Sequence, residues 1–366
     1  MILADSINKT KILKPLLFSL LLILFFIFFS FYNQRELSGS VKTTEISSIN
    51  GKTMGTTYSV SIKAPDVNSD FLKDNIDSIL NIINMSMSTY ISKSEISLFN
   101  SSVGNKKMQI SEHFYNVLKK SQYYYELSDK RFDPTIDPLY DLWGFNGAGV
   151  IEEPNNDQID SAMSIVGMHN ISFGAADSSK SEYFISKKKD ELKIGFNAIA
   201  KGYAVDVISN YLSNLGYKCH FVEIGGEIRT TSDFSSWPIA IQNPYNPSAT
   251  VTPINLLNNS VATSGNYWNF IEYLDTGSRK THIINPLTGY PLEVENGMIS
   301  SATVVSENCM DADALATILM LLDIEQGIKL IDRLDNTEAL IIYVQDSIMI
   351  SRESKGFDAI KKRASN

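Results

Sequence analysis

The sequence predicts an α+β fold, one large domain behind an N-terminal membrane segment. Three observations predict it. Hydrophobic residues make up 43% of the chain and charged residues 20%, which supports a sizeable core and argues against global disorder. Strand candidates arrive in clusters between helices instead of alternating strictly with them, which disfavours a doubly wound sheet. No repeat, low-complexity tract or proline-rich linker interrupts the chain after about residue 50.

The N-terminal elements come first. Residues 1–14 are basic, with Lys9, Lys11 and Lys14, and residues 15–32 carry an almost wholly apolar run from Leu16 to Phe31. Positive charge ahead of such a run holds the N-terminus in the cytoplasm and sends the downstream chain across the membrane. The run falls slightly short of the ~20 residues of a spanning helix, with Tyr32 placed for the interface. A cleaved signal peptide is the alternative. No small-x-small site lies close behind it and no cysteine stands ready for acylation, so an uncleaved anchor is the expectation. Residues 33–49 are rich in Ser and Thr and read as a tether, with folding expected to start near Ile46. Residues 50–352 form the domain and 353–366 a polar tail.

Within the domain, Thr57–Ala64 alternates as a strand does. Asp70–Met87 repeats Phe71, Leu72, Ile76, Ile79, Leu80 and Ile83 at helical spacing, and Ser111–Leu127 is a second helix. Glu191–Phe196 reads as a strand running into a helix over Ala198–Leu215, with Asn197 as N-cap and Gly216 past its end. Residues 218–230, 237–243, 250–256, 268–274 and 279–284 are short strand candidates. Ser300–Val305 reads as a strand, Asp311–Leu322 and Ile324–Leu334 as helices, and Ala339–Val344 with Ile348–Ser351 as a hairpin.

Several chemistries are disfavoured. The formal net charge is −9 and no basic block exceeds Lys187-Lys188-Lys189, which argues against nucleic acid as a partner. Cys219 and Cys309 form no CxxC and read as two buried thiols. His113, His169, His220 and His282 lack zinc-ligand spacing. No P-loop, GxGxxG after a strand or GxSxG is present.

Three segments can carry chemistry. Lys201 falls near a predicted helix N-terminus, where amides and a cation would suit a phosphate; the alternative is a solvated lysine. Asp313 and Thr317 are i and i+4 on a helix, so both oxygens share one face and suit Mg²⁺; alternatively Asp313 caps the helix and Thr317 bonds within it. His282, at a strand end before Asn285-Pro286, is a base or a structural histidine. Tyr90, Phe132 and Trp143 either stack on a planar ring or fill a core.

These segments belong to a longer ordered set. It comprises Met54-Gly55-Thr56-Thr57-Tyr58; Met87-Ser88-Thr89-Tyr90 with Ser94-Glu95-Ile96-Ser97 and Phe99-Asn100; and Phe132-Asp133 with Thr135, Pro138-Leu139 and Trp143-Gly144-Phe145. It continues with Ala198-Ile199-Ala200-Lys201-Gly202-Tyr203-Ala204-Val205-Asp206, Gly225-Gly226 and Ala262-Thr263-Ser264-Gly265. His282-Ile283-Ile284, Pro286, Thr288-Gly289-Tyr290-Pro291 and Ala312-Asp313-Ala314-Leu315-Ala316-Thr317 complete it. Over roughly residues 50–345 the chain resembles the ApbE family of FAD:protein FMN transferases.

The resemblance implies a T-fold-like domain that binds FAD and Mg²⁺, splits the pyrophosphate, transfers FMN to a Thr or Ser hydroxyl of an acceptor protein and releases AMP. Implied acceptors are extracytoplasmic flavoproteins, typically subunits of membrane redox complexes. With the N-terminal segment, this leads one to expect a bacterial inner-membrane protein with its domain on the periplasmic side. The implied metal ligands are the Ala198 carbonyl, Asp313 and Thr317. The implied flavin and nucleotide contacts are Met54, Tyr90, Arg131, Phe132, Asp133, Lys201 and Ile284, and His282 is the implied catalytic group. Two positions depart from the family: Gly195 stands where an Asp that contacts FAD is usual, and Asn266 where Asp is common. The alternatives are an FAD pyrophosphatase yielding free FMN and AMP, or a flavin-binding protein without turnover.

Overall fold

The computed structural model describes residues 46–362 apart from 148–151, 178–181, 267–269, 274–275 and 294–296. The basic and apolar segments expected at 1–32, and the tether up to residue 45, lie outside the described residues. Among those described, no helix is long and apolar enough to cross a membrane.

A hairpin of β1 (Ile46–Thr53) and β2 (Thr56–Lys63) comes first, so residues 46–49 belong to a strand and not to the tether. Helices α1 (Ser69–Met87) and α2 (Glu95–Asn100), strand β3 (Met108–Ile110) and helices α3 (Glu112–Leu127), α4 (Asp137–Leu142) and α5 (Asn156–Met163) come next. Strands β4 (Ile171–Asp177) and β5 (Glu182–Lys187) join β3 in a small sheet ordered β3-β5-β4. Helix α6 (Ala200–Asn214) leads to β6 (His220–Ile224), β7 (Glu227–Thr231), β8 (Trp237–Asn243), β9 (Asn246–Leu256) and β10 (Ser260–Gly265). Then come β11 (Phe270–Glu272), β12 (Arg279–Ile284), β13 (Pro291–Glu293) and β14 (Ile299–Ser306). Helices α7 (Cys309–Met320) and α8 (Ile324–Ile331), the hairpin β15 (Glu338–Gln345) and β16 (Ile348–Glu353), and helix α9 (Phe357–Lys362) complete the order.

The main sheet has eight strands in the order β1-β2-β6-β7-β10-β14-β15-β16, and every neighbouring pair is antiparallel. This is the mixed α and β architecture expected. Both faces of the sheet are covered. Along β15, Ala339 and Ile341 enter the main core with the helices, while Leu340 and Ile342 pack with Ile241, Ile254, Leu256 and Phe357 on the other side. A period of two sends successive side chains to opposite faces. Strand β14 is buried along its whole length, as a central strand between two layers must be.

The structure corrects the expected polar tail. Phe357 and Ile360 are buried, so α9 is part of the core and the fold runs past residue 352. The expected strand over Glu191–Phe196 is also corrected. Leu192, Ile194 and Phe196 alternate into the core, yet the segment joins no sheet. Asn100 staples it instead: its Nδ2 donates to Ile194 O (2.9 Å) and its Oδ1 accepts from Ile194 N (2.9 Å). The buried Lys187 ammonium donates to the carbonyls of Asn100, Asp190 and Leu192 at 2.8–2.9 Å, so it braces this loop instead of forming a basic surface. Helix α6 then starts at Ala200 with Ile199 as N-cap, not at Asn197, which lies in the preceding turn. Cys219 and Cys309 are buried free thiols, as expected.

The buried His220 predicts an acid sensitivity of the fold. Its Nε2 faces Ser209 Oγ (2.8 Å), and its Nδ1 faces Tyr217 O (2.8 Å) and Thr231 Oγ1 (2.9 Å). Burial pushes the imidazole down to about 4, with Arg229 nearby also disfavouring its charge. The unfolded chain, with an ordinary histidine near ~6.5, binds a proton that the folded chain refuses, so stability falls as pH drops from there towards 4. We expect this group to cost about 2 kcal/mol between pH 7 and pH 5. Urea unfolding of the wild type and His220→Gln at both pH values checks this: the difference between the two proteins must change by that amount.

Candidate active site

The upper ends of several elements converge on one open cleft of ≈ 1640 Å³. That exceeds the roughly 300–1,000 Å³ of sites for drug-sized ligands and suits a longer molecule. All the candidate residues line it: Met54, Tyr90, Arg131, Phe132 and Asp133 on one side, Ala198 and Lys201 with Asp313 and Thr317, and His282 with Ile284.

Local conformation explains how they arrive there. Met54 and Gly55 form the two-residue turn of the β1–β2 hairpin, with φ of 49° and 74°. Such a turn needs positive φ at both central residues, which matches the right-handed strand twist. A methionine is an uncommon occupant, and strain of this kind at a cleft edge points to use. Tyr90 lies just after α1 and is 86% exposed, so its ring is presented at the cleft instead of filling a core. Asp129 and Lys130, both at positive φ, turn the chain after α3 into Arg131 and the buried Phe132. Asp133 Oδ1 accepts from Thr135 N (2.8 Å) and Thr135 Oγ1 (2.6 Å), so that oxygen holds the turn. Burial nevertheless pushes the Asp133 carboxyl up to about 6. Trp143 is fully buried and fills a secondary core, its Nε1 donating to Gly289 O (2.8 Å). His282 sits half-buried on β12, next to the buried Ile283 and Ile284.

The centre of the site is the crossing of α6 and α7. Gly202 has its Cβ position only 2.3 Å from Cys309 O, so only glycine permits this approach. Asp206, one turn further along α6, accepts from Cys309 N and Met310 N, both at 2.9 Å, and so caps α7 from outside. Arg229 holds that carboxylate in turn (2.7 Å). The register brings Asp313 Oδ2 to Gly202 N at 3.0 Å. Gly202 is the third residue of α6, so its N–H has no partner within the helix. Asp313 supplies that partner, and Ala198, in the turn before α6, lines the same cleft. Thr317, one turn beyond Asp313, has its Oγ1 3.2 Å from Ser264 Oγ on β10.

The charges at this crossing do not balance. Lys201 pairs with Glu227, which stands directly after the Gly225-Gly226 turn of the β6–β7 hairpin. Burial alone would lower the Lys201 ammonium, but Asp313 and Glu227 outweigh it and hold it above its ordinary value. Burial pushes Glu227 up to about 8 against the pull of Lys201, and Asp313 is likewise raised by burial against Lys201 and the Gly202 N–H. Glu227 Oε2 is buried with no hydrogen-bond partner among the described residues. Two buried carboxyls therefore face one ammonium, beside a hydroxyl and a carbonyl. This all-oxygen, electron-rich set fits a hard divalent cation. Sequence reasoning missed Glu227; its signal was a carboxylate directly after a diglycine turn.

Asp137 was missed as well. It opens α4, is buried, lines the cleft and makes no hydrogen bond through its side chain among the described residues. Burial, with Asp141 adding, pushes its carboxyl up to about 7. Asn266, by contrast, is buried with its Nδ2 donating to Ile299 O (2.9 Å), a structural bond to the neighbouring strand.

Comparison with known proteins finds matches over most of the chain. The family model described as ApbE family matches residues 54–341. The chain is 33% identical over 317 residues to the FAD:protein FMN transferase of Vibrio cholerae serotype O1, covering 85% of this chain and 91% of the relative. It is 32% identical over 335 residues to the FAD:protein FMN transferase of Haemophilus influenzae, covering 88% and 93%. Among solved structures it resembles the flavin transferase ApbE from Vibrio cholerae, with a TM-score of 0.75 and 32% identity over 86% of this chain and 99% of that one.

Proposed function

The chain belongs to the ApbE family, and from that premise we propose that it transfers the FMN half of FAD to a Thr or Ser hydroxyl of an acceptor protein, with Mg²⁺ as cofactor. Its relatives over most of the chain are FAD:protein FMN transferases, and it is a transferase of that kind.

The observation that carries the finer reading is the bond from Gly202 N to Asp313, which sets α7 against the start of α6 so that Asp313, Thr317 and Ala198 line one cleft with Lys201. Asp313, Thr317 and the Ala198 carbonyl would hold the cation. When bound, Mg²⁺ offsets negative charge on the pyrophosphate and on the departing AMP. Lys201 adds positive potential at the same place and, fixed by Glu227, needs little reorganisation as charge develops. Met54, Tyr90, the Arg131–Asp133 turn and Ile284 contact the flavin and nucleotide. The acceptor hydroxyl oxygen attacks the FMN phosphorus and stays on it, the bond from that phosphorus to the bridging oxygen breaks, and AMP leaves with the bridging oxygen. The hydroxyl proton passes to His282 as general base.

The acceptor is expected among extracytoplasmic flavoproteins, such as subunits of membrane redox complexes. Lys9, Lys11 and Lys14 ahead of the apolar run would direct the domain to that side of the bacterial inner membrane. The test is co-expression of the full chain with candidate acceptors, with mass spectrometry as the readout. One added FMN on a Thr or Ser, with AMP formed in equal amount, is the expected result. AMP and free FMN without protein-bound flavin would make the protein a pyrophosphatase, and absence of AMP with every divalent metal would make it a binder.

A further inference from the structure

Gly195 and Asp137 are coupled by space. A Cβ on Gly195 would lie 2.5 Å from Asp137 Oδ1 and 3.1 Å from its Cγ, well inside contact distance. The two backbones cannot easily slide apart, because Gly195 N donates to Pro134 O (2.8 Å), three residues before Asp137. The Asp137 carboxyl thus occupies the volume that a side chain at residue 195 would take, and it does so in the cleft wall.

That carboxyl has no evident structural employment. It is 5% exposed and no described donor meets it. Lys193, whose charge acts on it, is bonded to Asp141 at 2.6 Å. A largely buried carboxyl with no partner among the described residues is disfavoured, so its place in the cleft wall suits a ligand that supplies the hydrogen bond. Gly195 lies three residues before Ala198, within roughly 10 Å by chain reach. The hydrogen-bond donors of FAD nearest the pyrophosphate are the hydroxyls of the ribityl chain and the ribose, the adenine amino group and the flavin N3–H lying at its far ends. A phosphate has none to give and would be repelled.

We propose that Asp137 is a substrate-binding residue of this enzyme, accepting a hydrogen bond from a sugar-type hydroxyl of FAD beside the pyrophosphate, in the place left open by Gly195. The inference rests on FAD being the substrate. It also makes sense of the glycine: the wall of the cleft has room for one carboxyl, which this chain supplies from α4 instead of from the loop before α6.

The test uses the full-length protein, with FAD affinity read from quenching of flavin fluorescence and ligand-free stability read from thermal melting. Asp137→Ala is expected to weaken FAD at least tenfold and raise KM for FAD with kcat changed less than threefold. Its ligand-free melting temperature stays equal to the wild type or rises. Gly195→Asp alone overfills the wall and also weakens FAD, whereas the exchange Asp137→Gly with Gly195→Asp recovers most of the affinity. If wild type binds FAD and Asp137→Ala binds equally well, or loses affinity only in step with a lower ligand-free melting temperature, Asp137 is not a binding residue. Failure of the wild type itself to bind FAD would overturn the substrate reading instead.

Discussion

Asp313→Asn is expected to lower FMN transfer by at least about 10³-fold in kcat/KM while the protein still folds. The asparagine keeps the volume and one oxygen to accept from Gly202 N, so the helix crossing survives. It removes the negative charge that a divalent cation requires and leaves Lys201 with Glu227 alone as a balanced pair. Unfolding stability is therefore expected to stay the same or rise, because one buried carboxyl that burial disfavours is gone. Asp313→Ala should be equally inactive. AMP release and protein-bound FMN, measured across a magnesium titration, check the result. Normal transfer by either variant at low Mg²⁺ would remove the metal site from the account.

Gly202→Val should damage both fold and activity. Even a Cβ at this position meets backbone atoms, Cys309 O at 2.3 Å and Met310 Cα at 2.8 Å, and backbone does not yield as a flexible side chain does. The two helices must separate, at a cost of about 3 kcal/mol. Separation also breaks the bond from Gly202 N to Asp313 and strains the bonds from Cys309 N and Met310 N to Asp206. We expect a lower melting temperature together with loss of transfer that excess Mg²⁺ does not restore. Gly216→Ala is the control. Gly216 has a φ of 90° and nothing near its Cβ position, so that change strains a turn without touching the helix crossing, and transfer should persist. A Gly202→Val protein with wild-type activity would show that the close approach does not position the site.

Helix α1 and Glu191–Phe196 mark what was legible in the sequence and what was not. Helix α1 was legible because its apolar residues recur at helical spacing, and the helix read over Ser111–Leu127 is present from Glu112, with the Ser111 hydroxyl accepting from Phe114 N as its cap. The β15–β16 hairpin was legible from two alternating runs around a short turn. Strand β10, Ser260–Gly265, was not: its small and polar residues carry no strong pattern, and it is a strand because β7 and β14 flank it. Glu191–Phe196 has the right alternation but the wrong neighbours, since an asparagine staple took the place of a ladder.

What the sequence determined alone was the repertoire: which segments are helices with period 3.6, which strands alternate, and which oxygen, ammonium and imidazole groups stand on them. These arise from interactions within a few residues, and for the site they were supplemented by the ordered motifs of a known family. What only the tertiary structure decided was pairing at a distance. Asp313 meeting the free N–H of Gly202 at the start of α6, Glu227 facing Lys201 with its other oxygen unpartnered among the described residues, and Asp137 filling the space above Gly195 all join residues far apart in the chain. The physical reason is that local periodicity sets direction and burial along one element, whereas these contacts depend on how closely two backbones approach, a distance that no single element specifies.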